Sequence, residues 1–267
     1  MHDFLSPLPR VVAHRGDSHN YPENTLPAFL SAVKMGIDVV ETDVHLTKDG
    51  EIIIWHDPTL ERNTDGKGVI EEHTLQELRQ YDAGYTFTKD GGKTFPFRGQ
   101  GIHISALSEV LEECPGQRFN IDLKTDDTKI VDAYLSVIRN AHAESRVCTA
   151  SFHLANLKGV RSKAPELLTS ITTMEVIPLL LKSKLGILPK RFERKTIFQV
   201  PVKQYGITVI DSKFVRNMHE RDAVVMVWTI NEESEMRRLF SLGVDTIMTD
   251  NPALLIQVSR DMGLRDS

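Results

Sequence analysis

A chain of 267 residues with 40% apolar and 26% charged residues can bury a sizeable core, which excludes the disordered class. Its net charge of -5 excludes a general nucleic-acid binder, which needs a basic face, and leaves room only for a local basic pocket. Cys114 and Cys148 are too few and too far apart for a disulfide framework or a thiolate metal site, so they read as buried thiols.

The N-terminal stretch MHDFLSPLPR lacks the charged, apolar and small-residue order of a secretory signal, which predicts a cytoplasmic protein. The first β-branched run, VVAH at 11–14, predicts a strand ending in His14, Arg15 and Gly16. A helix follows over 25–36, with Leu26, Phe29, Leu30 and Val33 on one face and Gly36 as its C-cap. The second strand, VVETDVHL at 39–46, leads into a hairpin turning at 48–50. Residues 52–105 then break the pattern: the stretch is too long for one strand-to-helix connection and rich in turn residues. It predicts an insertion over about 58–104 containing one short helix near TLQELRQY.

Further strands are predicted at 119–124, 147–151, 167–173, 196–201, 224–231 and 245–250, separated by helical patterns. Eight strand-helix pairs in a chain of this size predict a TIM (β/α)8 barrel with a small insertion after strand 2. An open doubly wound sheet is the alternative, but no Gly-x-Gly-x-x-Gly follows any strand. No Pro/Gly/Ser-rich linker interrupts the chain, so residues 1–267 read as a single domain.

In such a barrel the polar residues at the C-terminal ends of the strands face the active site. Strand one ends in His14 and Arg15, strand two carries Glu41 and Asp43, the third carries Asp122 and Lys124, and the hairpin ends in His56 and Asp57. Residues two apart on a strand share a face, so Glu41 and Asp43 converge, as do Asp122 and Lys124. A Glu-x-Asp pair alone is more often a salt-bridged or solvated face. Acids inside the apolar runs VVETDV and FNIDLK, however, need a cation or a basic cluster to offset their burial. Three carboxylates without cysteine suit Mg²⁺ or Ca²⁺ better than Zn²⁺.

The succession HRG, PENT, ETDVHLTKDG, WHD, NIDLK, VWTIN and GVDTIMTDNP resembles the glycerophosphodiester phosphodiesterases across nearly the whole chain. The resemblance implies a TIM barrel of the phospholipase-C-like phosphodiesterase type and hydrolysis of glycerophosphodiesters to sn-glycerol 3-phosphate and an alcohol. By motif it implies His14 and His56 as the acid-base pair, Arg15 and Lys124 as phosphate-binding residues, and Glu41, Asp43 and Asp122 as ligands of one divalent cation. The family's usual residue at position 122 is glutamate, so this aspartate reaches one methylene less. The family mechanism begins with attack on phosphorus by the neighbouring glycerol hydroxyl, and water then opens the cyclic phosphate. The chemistry agrees, since a diester anion repels nucleophiles until cations reduce its charge, and two imidazoles can move protons at neutral pH.

Trp228 alternates toward the pocket to hold glycerol or the leaving group, with core packing as the alternative. Asn24 is expected to cap the next helix or brace the site from behind, with direct ligand contact as the alternative, Glu23 to brace the mouth or to orient Arg15 or a metal-bound water, and Asp250 to cap the last helix, with Pro252 in its first turn. His45, His103 and His153 read as non-catalytic, with His45 nearest the mouth. Residues 175–195 mix apolar side chains with Lys182, Lys184, Lys190, Arg191, Arg194 and Lys195. They read as the fifth barrel helix with a solvated basic side, or as a lip making transient contact with an anionic membrane. That stretch is similar to membrane-active relatives acting as lysophospholipase D, so lysophospholipids are the alternative substrate. An inactive phosphodiester-binding barrel is a third reading. No obligate protein partner is evident.

Overall fold

The β-branched runs form strands because their side chains fit a pleated surface buried on both faces. They are β1 (Val11–His14), β2 (Val39–Leu46), β3 (Ile52–Ile54), β4 (Arg118–Leu123), β5 (Val147–Ala150), β6 (Leu168–Thr169), β7 (Ile197–Val200), β8 (Lys203–Gln204), β9 (Ile207–Thr208), β10 (Val224–Val227) and β11 (Thr246–Thr249). The computed structural model describes residues 3–204 and 206–266, and the side chains of Asp3 and Lys184 lie outside the described residues.

Eight strands run parallel in the order β6-β5-β4-β2-β1-β11-β10-β7, and a Ser170–Ile197 bridge joins the two ends to close a TIM barrel. The helices are α1 (Leu26–Lys34), α2 (Leu75–Leu78), α3 (Leu107–Glu113), α4 (Lys129–Asn140), α5 (Leu154–Lys163), α6 (Thr173–Leu185), α7 (Ser212–His219), α8 (Glu233–Ser241) and α9 (Pro252–Asp261). No described helix is long and apolar enough to cross a membrane.

Side-chain alternation sorts the core into layers. One set of strand residues packs outward on the helices, as Phe119 does edge-on against Phe29 of α1. The other set points inward. Val12, Val39, Ile197, Val224 and Met226 fill the lower barrel together with Phe4 and Leu5 of the N-terminal turn, and burying each such side chain stabilises the fold by roughly 1.5–3 kcal/mol. A third cluster, including Trp55, Leu60, Ile70, Leu78 and Ile104, gives the insertion a small core beside β3.

Several predicted boundaries move. The strand expected at 167–173 stops at Thr169, because Thr172 begins α6 with a capping box: its hydroxyl accepts from Glu175 N (3.3 Å) and the Glu175 carboxylate accepts from Thr172 N (2.9 Å). The strand predicted at 224–231 stops at Val227. Leu30, expected on the buried face of α1, is exposed, and Ala28, Phe29 and Ala32 form that face instead. Gly36 adopts φ +75° one residue beyond the C-cap Met35.

Candidate active site

Strand register stacks the functional side chains in two layers at the C-terminal end of the barrel. His14, Glu41 and Asn120 are lateral neighbours across β1, β2 and β4, and Asp43 and Asp122 are neighbours one layer higher. All five line a cavity of about 190 Å³ together with Arg15, His56, Lys124, Phe152 and Trp228. In the lower of the two layers Asn120 and Gln199 exchange side-chain hydrogen bonds across the barrel (2.6 and 3.3 Å), a polar floor above the apolar plug.

The turn after β1 is built for close approach. Gly16 has φ +83°, and a Cβ there would stand 2.8 Å from the carbonyl carbon of Ala28 in α1, so only glycine lets the chain fold back. Arg15 itself sits at φ +58°, held there by its amide donating to the Glu41 carbonyl (3.0 Å) and carboxylate (3.1 Å). Such a conformation costs a non-glycine residue roughly 1–2 kcal/mol. It delivers the guanidinium to Glu23 (2.8 Å) and to Asp43, 3.1 Å from Nε as an ion pair off the hydrogen-bond direction.

Each cavity histidine is backed by a carboxylate. His14 Nδ1 lies 2.7 Å from Asp250 Oδ1, and His56 Nδ1 lies 2.6 Å from Asp57 Oδ1. An ionised carboxylate only accepts, so Nδ1 carries a proton in both rings and Nε2 is the free nitrogen. Burial disfavours the charged form of His14, but the Glu41 carboxylate and the Asp250 hydrogen bond outweigh it and raise its pKa. Asp250 is fixed in turn by Asn231 Nδ2 (2.7 Å) and Ser18 Oγ (3.3 Å). Asp57 is fixed by Arg62, whose Nε and Nη2 reach it at 2.5 and 3.0 Å. Arg62 also donates to both oxygens of Glu23 (2.6 and 2.9 Å), tying His56 through Asp57, Arg62 and Glu23 to Arg15.

The acids on the wall are deeply buried. Lys124 Nζ donates to Asp122 Oδ2 (2.7 Å) and lies 2.9 Å from Asp43 Oδ1 without hydrogen-bond direction. Burial raises the carboxyl pKa values, but for Asp43 the charges of Lys124 and Arg15 reverse this and hold it at about 2. Glu41, pushed by burial and by the Asp43 charge, rises to about 7. Asp122 is also raised, by its burial first. Asn24, at φ +56°, donates to Asp43 Oδ2 (2.9 Å) and accepts from Thr42 Oγ1 (2.8 Å), so it braces the Asp43 carboxylate and does not cap α1.

Among the described residues, no set of three carboxylate, imidazole or thiol groups surrounds a common point as a cation's ligands would. The donors nonetheless fit a hard cation. Asp122 Oδ1 is buried without a partner, Asp43 Oδ1 makes no directed hydrogen bond, and Glu41 is under-compensated by its neighbours.

Other expected roles change. Asp250 does not cap the last helix; Asn251 does, its Oδ1 accepting from Leu254 N (3.2 Å), which frees Asp250 for His14. His45 is buried beneath the insertion with Nε2 3.2 Å from the His56 carbonyl and stays outside the cavity lining. His103 and His153 also lie outside it. Trp228 lines the cavity and packs edge-on against Phe152 (6.3 Å, 82°), so packing and lining coincide. Of the roles open to Glu23, the structure shows the contact with Arg15.

Residues 14–254 match the profile of the glycerophosphoryl diester phosphodiesterase family. The chain belongs to that family. It is 33% identical over 258 residues to a glycerophosphodiester phosphodiesterase of Caldanaerobacter subterraneus, covering 95% of this chain and 98% of the relative. It is 25% identical to the human lysophospholipase D GDPD1, over 93% of this chain and 85% of that protein. Among solved structures, an Oleispira antarctica phosphodiesterase in complex with the product sn-glycerol-3-phosphate superposes with a TM-score of 0.77, at 27% identity and over 96% and 98% of the two chains. Asp250, Arg62, Asn231 and Ser18 are the members of the site that sequence reasoning missed or assigned elsewhere.

Proposed function

We propose that this enzyme of the glycerophosphodiester phosphodiesterase family hydrolyses glycerophosphodiesters to sn-glycerol 3-phosphate and an alcohol in a cation-dependent reaction, with His14 and His56 as the acid-base pair. The observation that carries the reading is the pair of imidazole–carboxylate dyads, His14–Asp250 and His56–Asp57, at a cavity whose wall holds both buried acids and two fixed cations. The relative solved with sn-glycerol-3-phosphate supports the product assignment.

Glu41, Asp43 and Asp122 would hold one Mg²⁺ or Ca²⁺. That ion would supply positive charge where the diester oxygens accumulate negative charge. Arg15 and Lys124 bind the phosphate oxygens and are restrained by Glu23, Asp43 and Asp122, so they are oriented before substrate arrives. One imidazole withdraws a proton from the attacking glycerol hydroxyl while the other delivers a proton to the departing alcohol oxygen, and with the two roles exchanged water then opens the resulting cyclic phosphate and returns both rings to their starting protonation. Each dyad carboxylate stabilises its ring in the imidazolium form during that exchange. Phe152 and Trp228 offer an apolar wall to the glycerol carbon chain, with Lys124 Nζ 5.3 Å from the Phe152 ring centroid. Both cysteines are buried free thiols, which supports a reducing compartment such as the cytoplasm.

An exposed aromatic at the cavity, Phe152 at 53% exposure, favours lysophospholipids as a second substrate class. The deciding experiment measures glycerol 3-phosphate release from glycerophosphocholine by chelator-treated protein with and without added Mg²⁺ or Ca²⁺. Release only with added cation supports the reading, and equal release without it removes the cation from the reaction.

A further inference from the structure

Helix α6 is apolar on two sides. Val176 and Ser183 are buried and Leu179 and Leu180 half-buried, with Ser183 Oγ accepting from Asn217 of α7 (2.9 Å). The opposite side carries Met174, Ile177, Leu181 and Leu185 at spacings of three, four and four residues, exposed by 66%, 49%, 58% and 71%, and Ile187 continues the stripe at 63%. A barrel helix normally turns charged residues outward, and a stripe this long on the outer face signals a surface that something covers.

The surroundings of the stripe identify the cover. Residues 173–195 contain six basic and two acidic residues, inside a chain of net charge -5. Glu175 is already engaged by Arg161 (2.7 Å) and Arg194 (3.6 Å), while Lys182, Lys190 and Arg191 are exposed. An apolar stripe flanked by cations fits a negatively charged lipid surface, which accepts both parts at once. A second copy of this chain fits poorly, because a two-fold contact through α6 would set this basic segment against itself. The helix begins at Thr173, which lines the catalytic cavity, so the N-terminal end of the stripe lies beside that cavity.

We propose that the exposed face of α6, from Met174 to Leu185 and continuing to Ile187, docks the protein on anionic membranes. The docking itself is independent of the catalytic reading. Its consequence, that diesters embedded in the membrane reach the cavity without leaving the surface, rests on that reading.

The experiment is cosedimentation with phosphatidylglycerol-rich vesicles and with pure phosphatidylcholine vesicles, using the parent and an Ile177→Asp/Leu181→Asp double variant. Both side chains are exposed, and turnover of water-soluble glycerophosphocholine, expected unchanged, checks that the variant is folded. The parent should bind the anionic vesicles, more weakly at high salt, and the double variant should bind about tenfold or more weakly. A Lys182→Glu/Arg191→Glu variant should lose the preference for anionic lipid while leaving the stripe intact. Parent that ignores anionic vesicles, a double variant that binds like the parent, or a stripe whose mutation converts a dimer to a monomer without vesicle binding each overturns the proposal. Should glycerophosphocholine turnover be absent in the parent as well, the hydrolytic reading fails while the sedimentation result stands on its own.

Discussion

Replacing Asp250 by asparagine separates the dyad from the rest of the site. Asp250 accepts from His14 Nδ1 through Oδ1 (2.7 Å) and from Asn231 Nδ2 through Oδ2 (2.7 Å). Asn231 cannot turn over to suit a new neighbour, because its Oδ1 already accepts from Asp250 N (2.9 Å) and Thr249 Oγ1 (3.0 Å). An asparagine amide at 250 therefore points its NH₂ either at Asn231, donor against donor, or at His14 Nδ1, which moves the ring proton to Nε2. Losing one charge-assisted hydrogen bond is worth about 1.5–3 kcal/mol, or about 10- to 150-fold in kcat. KM should change little, since Asp250 stands behind the ring and does not line the catalytic cavity.

A pH profile distinguishes this from a structural fault. Burial lowers the His14 pKa, and Glu41 and Asp250 raise it above its ordinary value. Removing the Asp250 charge must move the limb of the profile governed by His14 to lower pH, whether that ring serves as acid or as base. The assay is steady-state release of glycerol 3-phosphate across the pH range with saturating cation. Unchanged kcat together with an unmoved limb, in a variant with the parent's thermal stability, would refute the role given to Asp250.

Gly16→Ala should lower stability by roughly 1–3 kcal/mol in denaturant unfolding, because its Cβ would meet the α1 backbone at 2.8 Å; equal stability would mean that α1 moves away at no cost. Arg62→Met frees both Asp57 and Glu23, and since Arg62 is 44% exposed its ion pairs are screened, so a loss of about tenfold in kcat with unchanged KM is expected from initial rates. For Asp57, burial opposes ionisation but hydrogen bonds from Arg62 and His56 hold the pKa at about 2, below its ordinary 3.8. The parent should thus exceed Asp57→Asn in stability by about 1 kcal/mol above pH 4, and the gap should close as pH falls from 3.8 toward 2. A gap that persisted at pH 2 would contradict the linkage.

The barrel was legible because its strands are β-branched runs of the right number, and the catalytic wall because Glu41 and Asp43, like Asp122 and Lys124, keep a two-residue spacing that any strand turns to one side. Asp250 was not. Its position before Asn251 and Pro252 gives two adjacent residues the same capping chemistry, and only the fold reveals that Asn251 takes the cap. Arg62 was hidden for another reason: it lies in an insertion without periodicity, and its partners Glu23 and Asp57 are brought together by tertiary packing alone. The leucines of α6 illustrate the limit of composition. Leu179, Leu180 and Leu181 are equivalent in sequence, yet the first two pack against the core and only the third is exposed.

The paired histidines are tested by kcat for glycerol 3-phosphate release from glycerophosphocholine in His14→Ala and in His56→Ala, with the cation replete and the fold verified by circular dichroism. Acid-base catalysis by both rings predicts that each variant loses about 10²- to 10⁴-fold, and that the two losses do not multiply in the double variant. Either single variant turning over at the parent's rate would contradict it.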